Sequence, residues 1–124
     1  MVSMYYVSKR MEIAGAHKLK LDYASKCENL HGHNWIITVF CKAPSLDRNG
    51  MVVDFTLIKK VVHDQLDHQT LNDVLVDINP TAENIAFWVC GEVNQLGNSD
   101  MLCYKVTVQE SEGNIATFER EDEE

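Results

Sequence analysis

The run "NWIITVFCK", residues 34–42, constrains this chain more than any other stretch. In an extended segment, successive side chains point to opposite faces. Trp35, Ile37, Val39 and Cys41 therefore share one face, and Ile36, Thr38 and Phe40 share the other. Both faces are apolar, so the run predicts a strand inside a sheet with cover on both sides. The rest of the chain has to supply that cover and the neighbouring strands.

Residues 4–13 carry aromatic and β-branched side chains with no breaker before Gly15, and predict a first strand. A polar loop follows over 18–32. Beyond the central run, Pro44 and the pair Asn49-Gly50 mark a turn. Asp54 suits an N-cap, and behind it Leu57, Ile58, Val61, Val62 and Leu66 recur at helical spacing, so 55–66 predicts an amphipathic helix. After the polar break "DHQTLND", a second helix starts behind Pro80, with Thr81 as N-cap and Glu83 in its first turn. Ile85, Trp88, Val89, Val93 and Leu96 form its apolar stripe, and Gly97 suits its end. Residues 101–109 predict a strand with Leu102, Tyr104, Val106 and Val108 on one face, and "ESEGN" turns it into a short partner over 115–119. The order β-β-α-α-β-β predicts an α+β fold, an antiparallel sheet with two helices on one face. One domain is expected over 1–118, followed by an acidic tail over 119–124.

The net charge of −8 argues against a nucleic-acid partner, which requires a basic face. The tail "EREDEE" supplies much of that negative charge. The segment 9–26 is the reverse, with Lys9, Arg10, Lys18, Lys20 and Lys26 against Glu12 and Asp22. It reads either as a solvated basic face or as a region that attracts an anionic substrate. No signal-like segment opens the chain and no apolar run reaches the roughly 20 residues of a membrane span, so a cytoplasmic protein without a membrane partner is expected. The four cysteines include no CxxC pair. Cys41, Cys90 and Cys103 fall in predicted strands and a helix and read as small buried residues, whereas Cys27 lies in a polar loop beside histidines.

His31 and His33 flank Gly32 and point to one side of an extended segment, so both imidazoles can reach one metal. That pair alone leaves the metal reading open. His17, at the end of the first strand, would give three imidazoles and leave one zinc position free, as a catalytic zinc requires; it reads equally as a loop histidine bound to backbone. His63 sits mid-helix among charged neighbours and reads as surface. In Asp67-His68 the carboxylate can orient the imidazole for proton transfer, or the pair is a polar helix end. Glu110 ends the strand "KVTVQ", where a carboxylate can grip a guanidine-like edge with two hydrogen bonds or simply face solvent.

Taken in order, "GAH" at His17, "CENLHGHN" over 27–34, "GMVVDF" over 50–55, "LDHQTLND" over 66–73, "NPTAENIA" over 79–86 and "VTVQE" ending at Glu110 form a specific set. The chain resembles the 6-pyruvoyl-tetrahydropterin synthase family, in particular the bacterial branch of 6-carboxy-5,6,7,8-tetrahydropterin synthases of queuosine biosynthesis. The resemblance implies the tunnelling fold: sheets of three subunits join into an oligomeric barrel, two rings stack into a hexamer, and sites lie between subunits. It implies zinc on His17, His31 and His33, Cys27 as the catalytic thiol, and Asp67 with His68 as a second acid/base unit. It also implies that Glu110 anchors the pterin, that Thr81 helps shape the pocket, and that lysines such as Lys26 are candidates for a triphosphate. The implied reaction is a lyase step converting 7,8-dihydroneopterin triphosphate to 6-carboxy-5,6,7,8-tetrahydropterin, acetaldehyde and triphosphate. Three residues separate Cys27 from His31, as in the carboxy branch; the pyruvoyl branch, which eliminates triphosphate, has a longer spacing. A further branch replaces the Cys by Glu, and here Glu28 follows Cys27. The segment "IAGAH" departs from the family's F-x-A-A-H. Another class of reading is a non-catalytic binding module whose three histidines hold a structural zinc, with Cys27 as the fourth ligand.

Overall fold

A computed structural model describes residues 3–97 and 100–120. Two long strands, β1 (Tyr5–His17) and β2 (His31–Ala43), pair antiparallel along their whole length, from Tyr5 opposite Ala43 to His17 opposite His31. Both run further toward the histidines than side-chain type predicts. Ala14, Gly15, Ala16 and Gly32 carry no strong strand preference, but their backbone continues a ladder that the bulky residues have already set in register.

Next come α1 (Phe55–Val61), α2 (His63–Leu66), β3 (Gln69–Thr70), α3 (Leu71–Val74), α4 (Ala82–Asn94), β4 (Leu102–Ser111) and β5 (Asn114–Glu119). The helix expected over 55–66 is interrupted at Val62. The Val62 N–H still donates to Ile58 O, and its carbonyl accepts from Leu66 N–H, so α1 and α2 act as one kinked helix. The polar break holds β3, which pairs parallel with Gly15 and Ala16, and the sheet order is β3-β1-β2-β4-β5. The α+β architecture with helices on one face is as expected; β3 is an added, parallel edge. Of the expected tail, residues 121–124 lie outside the described residues.

The helix-covered face of the sheet contributes Ile13, Trp35, Ile37, Val39, Val106 and Val108, packed against Ile58, Val62, Leu66, Leu71, Ile85 and Val89 from the helices. Cover on the second face of β2 is partial in the single chain: Ile36, Thr38 and Phe40 are half-buried. Aromatic and lysine side chains cover the Phe40 end of this face. Lys105 Nζ lies 4.9 Å from the centre of the Phe40 ring, Lys42 Nζ lies 5.2 Å from that of Tyr104, and Tyr6 meets Tyr104 edge-on at 5.9 Å.

The expected face of β4 needs one correction. Phe40 pairs with Lys105 and Cys41 with Cys103, so Tyr104 is an extra residue in a bulge. Cys103 is thereby turned onto the buried face with Val106 and Val108, and Leu102 and Tyr104 are left half-buried. Cys41, Cys90 and Cys103 are free and buried, as their positions predict, whereas Cys27 is half-buried. Cys90 Sγ donates to the Cys103 carbonyl at 3.3 Å.

Candidate metal centre and active site

The β1–β2 register builds the histidine cluster. His31 and His33 share the buried face with Trp35, and His17 sits directly opposite His31. Ring centres are 4.6 Å apart for His17 and His31, 5.3 Å for His17 and His33, and 4.9 Å for His31 and His33. Their donor nitrogens all lie within 4.8 Å of one another. Trp35 forms the floor, edge-on to His17 at 4.8 Å and to His33 at 5.3 Å, and its indole N–H donates to Gly15 O at 3.0 Å.

Outer hydrogen bonds settle which ring nitrogens are free. His17 Nδ1–H donates to Pro80 O at 2.7 Å, and His31 Nδ1–H donates to Asn29 O at 2.7 Å. The lone pair on each Nε2 is then available, the pattern of metal-binding imidazoles. Nε2 of His17 and of His33 are buried with no hydrogen-bond partner. Burial holds the His17 imidazole below its ordinary pKa, with His31 and His33 adding to the effect and the Pro80 carbonyl and Glu110 opposing it. A neutral imidazole is the ligand form. Orphaned nitrogens, a fixed tautomer and three imidazoles in reach fit a borderline-soft divalent ion such as zinc.

Glu110, near the end of β4, places Oε1 3.5 Å from His33 Nε2, so the structure joins the predicted anchor to the predicted ligands. Cys27 is not a member of the donor group. It sits in a 3-10 turn, Lys26–Glu28, where its N–H donates to Ser25 Oγ at 3.1 Å and its carbonyl accepts from Leu19 N–H at 2.7 Å. Lys26 beside it is exposed. Thr81 caps α4, its hydroxyl accepting from Asn84 N–H at 3.1 Å.

Asp67 and His68 form a second cluster. Asp67 Oδ1 accepts from Ala14 N–H at 2.9 Å, and Oδ2 lies 2.9 Å from His68 Nδ1. The Ala14 N–H is the main reason the Asp67 carboxyl is held below the usual range, with His68 and His63 adding to it against burial. His68 has φ 58, a left-handed conformation uncommon outside glycine, and its N–H donates to Ala14 O at 2.7 Å. Its side chain is 81% exposed. A cleft of about 480 Å³ lined by Ala14, Ala16, Gly32, His33 and His68 connects the two clusters.

His63 is the residue that sequence reasoning missed. It is half-buried rather than on the surface, with Nδ1 3.0 Å from Asp64 Oδ1 and Nε2 3.6 Å from Asp67 Oδ2. Its signal was the four-residue spacing to Asp67, which puts both on one helix face.

A two-layer α+β sheet with a three-histidine candidate metal centre at the mouth of its longest hairpin defines the class of fold. The family model described as 6-pyruvoyl tetrahydropterin synthase matches residues 6–121, and the chain belongs to that family. It is 33% identical over 102 residues to a 6-carboxy-5,6,7,8-tetrahydropterin synthase of Synechocystis, covering 76% of this chain and 78% of that protein. It is 35% identical over 69 residues to the Bacillus subtilis protein of the same name, covering 56% of this chain and 47% of that one, so here the match spans about half the relative's length. Among solved structures, 6-pyruvoyl tetrahydropterin synthase of Caenorhabditis elegans superposes with a TM-score of 0.76 at 26% identity, covering 97% of this chain and 98% of that one.

Proposed function

We propose that this protein is a zinc-dependent lyase that converts 7,8-dihydroneopterin triphosphate to 6-carboxy-5,6,7,8-tetrahydropterin, acetaldehyde and triphosphate, as a cytoplasmic step of queuosine biosynthesis. The observation that carries the reading is the His17, His31 and His33 cluster with its orphaned nitrogens and Glu110 beside it. Similarity to relatives named for this reaction, and the short spacing from Cys27 to His31, favour it over triphosphate elimination.

His17, His31 and His33 would hold the zinc, which would supply Lewis-acid polarisation for the substrate's side-chain oxygens. Glu110 accepts two hydrogen bonds from the amidine-like edge of the pterin and fixes its orientation. Cys27 takes the proton from the side-chain carbon, a step that needs a base already in place. His68, oriented by Asp67, delivers or accepts the second proton. Lys26 is a candidate for the triphosphate, and Thr81 shapes the pocket by starting α4 where it does. The exposed side chain of His68 supports sites assembled between subunits, in a barrel of three chains stacked into a hexamer.

A structural zinc in a binding module would need a fourth protein ligand, and Cys27 does not join the histidine group. The deciding experiment incubates the purified, zinc-loaded protein with 7,8-dihydroneopterin triphosphate and identifies the products by mass spectrometry. Acetaldehyde with the carboxylated pterin is expected; a pyruvoyl product, or unchanged substrate, refutes the reading.

A further inference from the structure

The segment 18–20 joins the ligand His17 to the loop that carries Cys27, and it lies beyond the end of β1. It is nevertheless paired as a strand would be, on both edges. Lys18 N–H donates to Asn72 Oδ1 at 3.0 Å, and Asn72 Nδ2 donates back to Lys18 O at 2.9 Å. Two residues on, Lys20 N–H donates to Asn79 Oδ1 at 2.9 Å, and Asn79 Nδ2 donates back to Lys20 O at 2.9 Å. The intervening Leu19 N–H points the other way and donates to Cys27 O at 2.7 Å.

A primary amide carries the same donor and acceptor as a peptide unit, so one that gives and accepts at a single residue copies a strand pair. The alternation at 18, 19 and 20 is that of an extended chain between two neighbours. Asn79 is itself held: its carbonyl accepts from Thr81 N–H at 2.8 Å and from Asn84 Nδ2 at 2.9 Å. The next carbonyl, Pro80 O, is the one that receives His17 Nδ1–H. His17 is thus gripped by its ring through Pro80 and by the chain that follows it through the two asparagines.

We infer that Asn72 and Asn79 are positioning residues that act as a surrogate strand, fixing the His17 imidazole and the Cys27 loop in one frame. The inference rests on the function proposed above for its purpose, but not for its test. These hydrogen bonds are solvent-exposed, so their effect is on placement more than on global stability. The molecule also contains its own control. Asn94 makes the same reciprocal amide pair with Cys103, at 3.0 and 2.8 Å, at the end of β4 away from Glu110.

The test compares Asn72→Ala, Asn79→Ala and Asn94→Ala. Asn72→Asp and Asn79→Asp are included because they keep an acceptor and lose the donor, while adding a negative charge, and so remain informative if an alanine variant does not fold. Two readouts need no substrate: zinc affinity by competition with a chromophoric chelator, and exchange of the Leu19 amide followed by NMR. The expected result at 72 and 79 is zinc binding weaker by about tenfold, the scale for losing an outer partner of a ligand, and Leu19 exchange faster by about tenfold. Asn94→Ala is expected to leave both within about threefold of the parent, whatever it does to global stability. Changes below about threefold at both 72 and 79 overturn the inference, as does an equal change in Asn94→Ala. A parent protein that binds no zinc refutes the metal centre instead, and the Leu19 amide alone then decides for or against the clamp.

Discussion

Replacing His17 by Leu separates the metal's contribution to stability from that of packing. His17 is 0% exposed, and its Nε2 has no partner. A buried nitrogen left unpaired costs about 1–3 kcal/mol. Leucine removes that penalty, but it also removes the Nδ1–H bond to Pro80 O, which contributes about 1 kcal/mol. The two largely offset, so the zinc-stripped parent and His17→Leu are expected to agree in stability to within about 2 kcal/mol. Zinc changes the comparison. At a free concentration of about 100 times its Kd, a ligand that binds only the folded state adds about 2.7 kcal/mol. For a domain of this size that raises the melting temperature by roughly 10 °C. Calorimetry at one protein concentration, with chelator and then with excess zinc, reads both effects. The parent is expected to gain the full shift and His17→Leu almost none. An equal zinc-induced rise in the variant, or none in the parent, refutes the assignment of His17 as a ligand.

Cys27→Ala should keep zinc content and assembly while turnover falls by about a hundredfold or more, the scale for a positioned acid/base group; near-normal turnover would shift attention to Glu28. The native mass by light scattering should be a multiple of three chains, with six expected, and an active monomer would contradict a shared site. Because the Asp67 carboxyl is held below its ordinary value of 3.8, the stability it adds is fully present above that value and is lost as pH falls through the lowered one. Urea unfolding of the parent and of Asp67→Asn should therefore differ at pH 6 and converge toward pH 3; a gap independent of pH would show that the carboxylate does not carry the effect.

How far the sequence could be read depended on the range of each interaction. The strand of residues 34–42 and the stripe of α4 are local patterns, and they were legible. His31 and His33 were legible because alternation alone puts them on one side. Joining His17 to them required the pairing of β1 with β2, which the strand reading made plausible and the family motifs made specific. The bulge at Tyr104 left no mark in the periodicity of 101–109, since the extra residue is defined by its partner strand. His63 was assigned to solvent because its immediate neighbours are charged, yet its environment is set by the turn that brings Asp67 back beneath it. Asn72 and Asn79 fall inside the motifs over 66–73 and 79–86, but no local pattern points to their partners, since Lys18 and Lys20 are 54 and 59 positions away.

The three buried cysteines have a practical consequence. Contact with the Cys41 thiol is the main cause that pushes Cys103 up to about 12, with burial adding to it. The hydrogen bond with Cys103 is the main cause that pushes Cys90 higher still. Alkylating reagents attack thiolates, so in the folded protein Cys90 and Cys103 are silent both for lack of charge and for lack of access, and Cys41 is shielded by its burial. Cys27 is left as a native labelling address in the loop that leads to the metal ligands. A maleimide dye or a spin label can be attached there with every cysteine in place, and its signal followed as zinc is titrated in. The loop's response to the metal then becomes visible by fluorescence or magnetic resonance before any substrate is at hand.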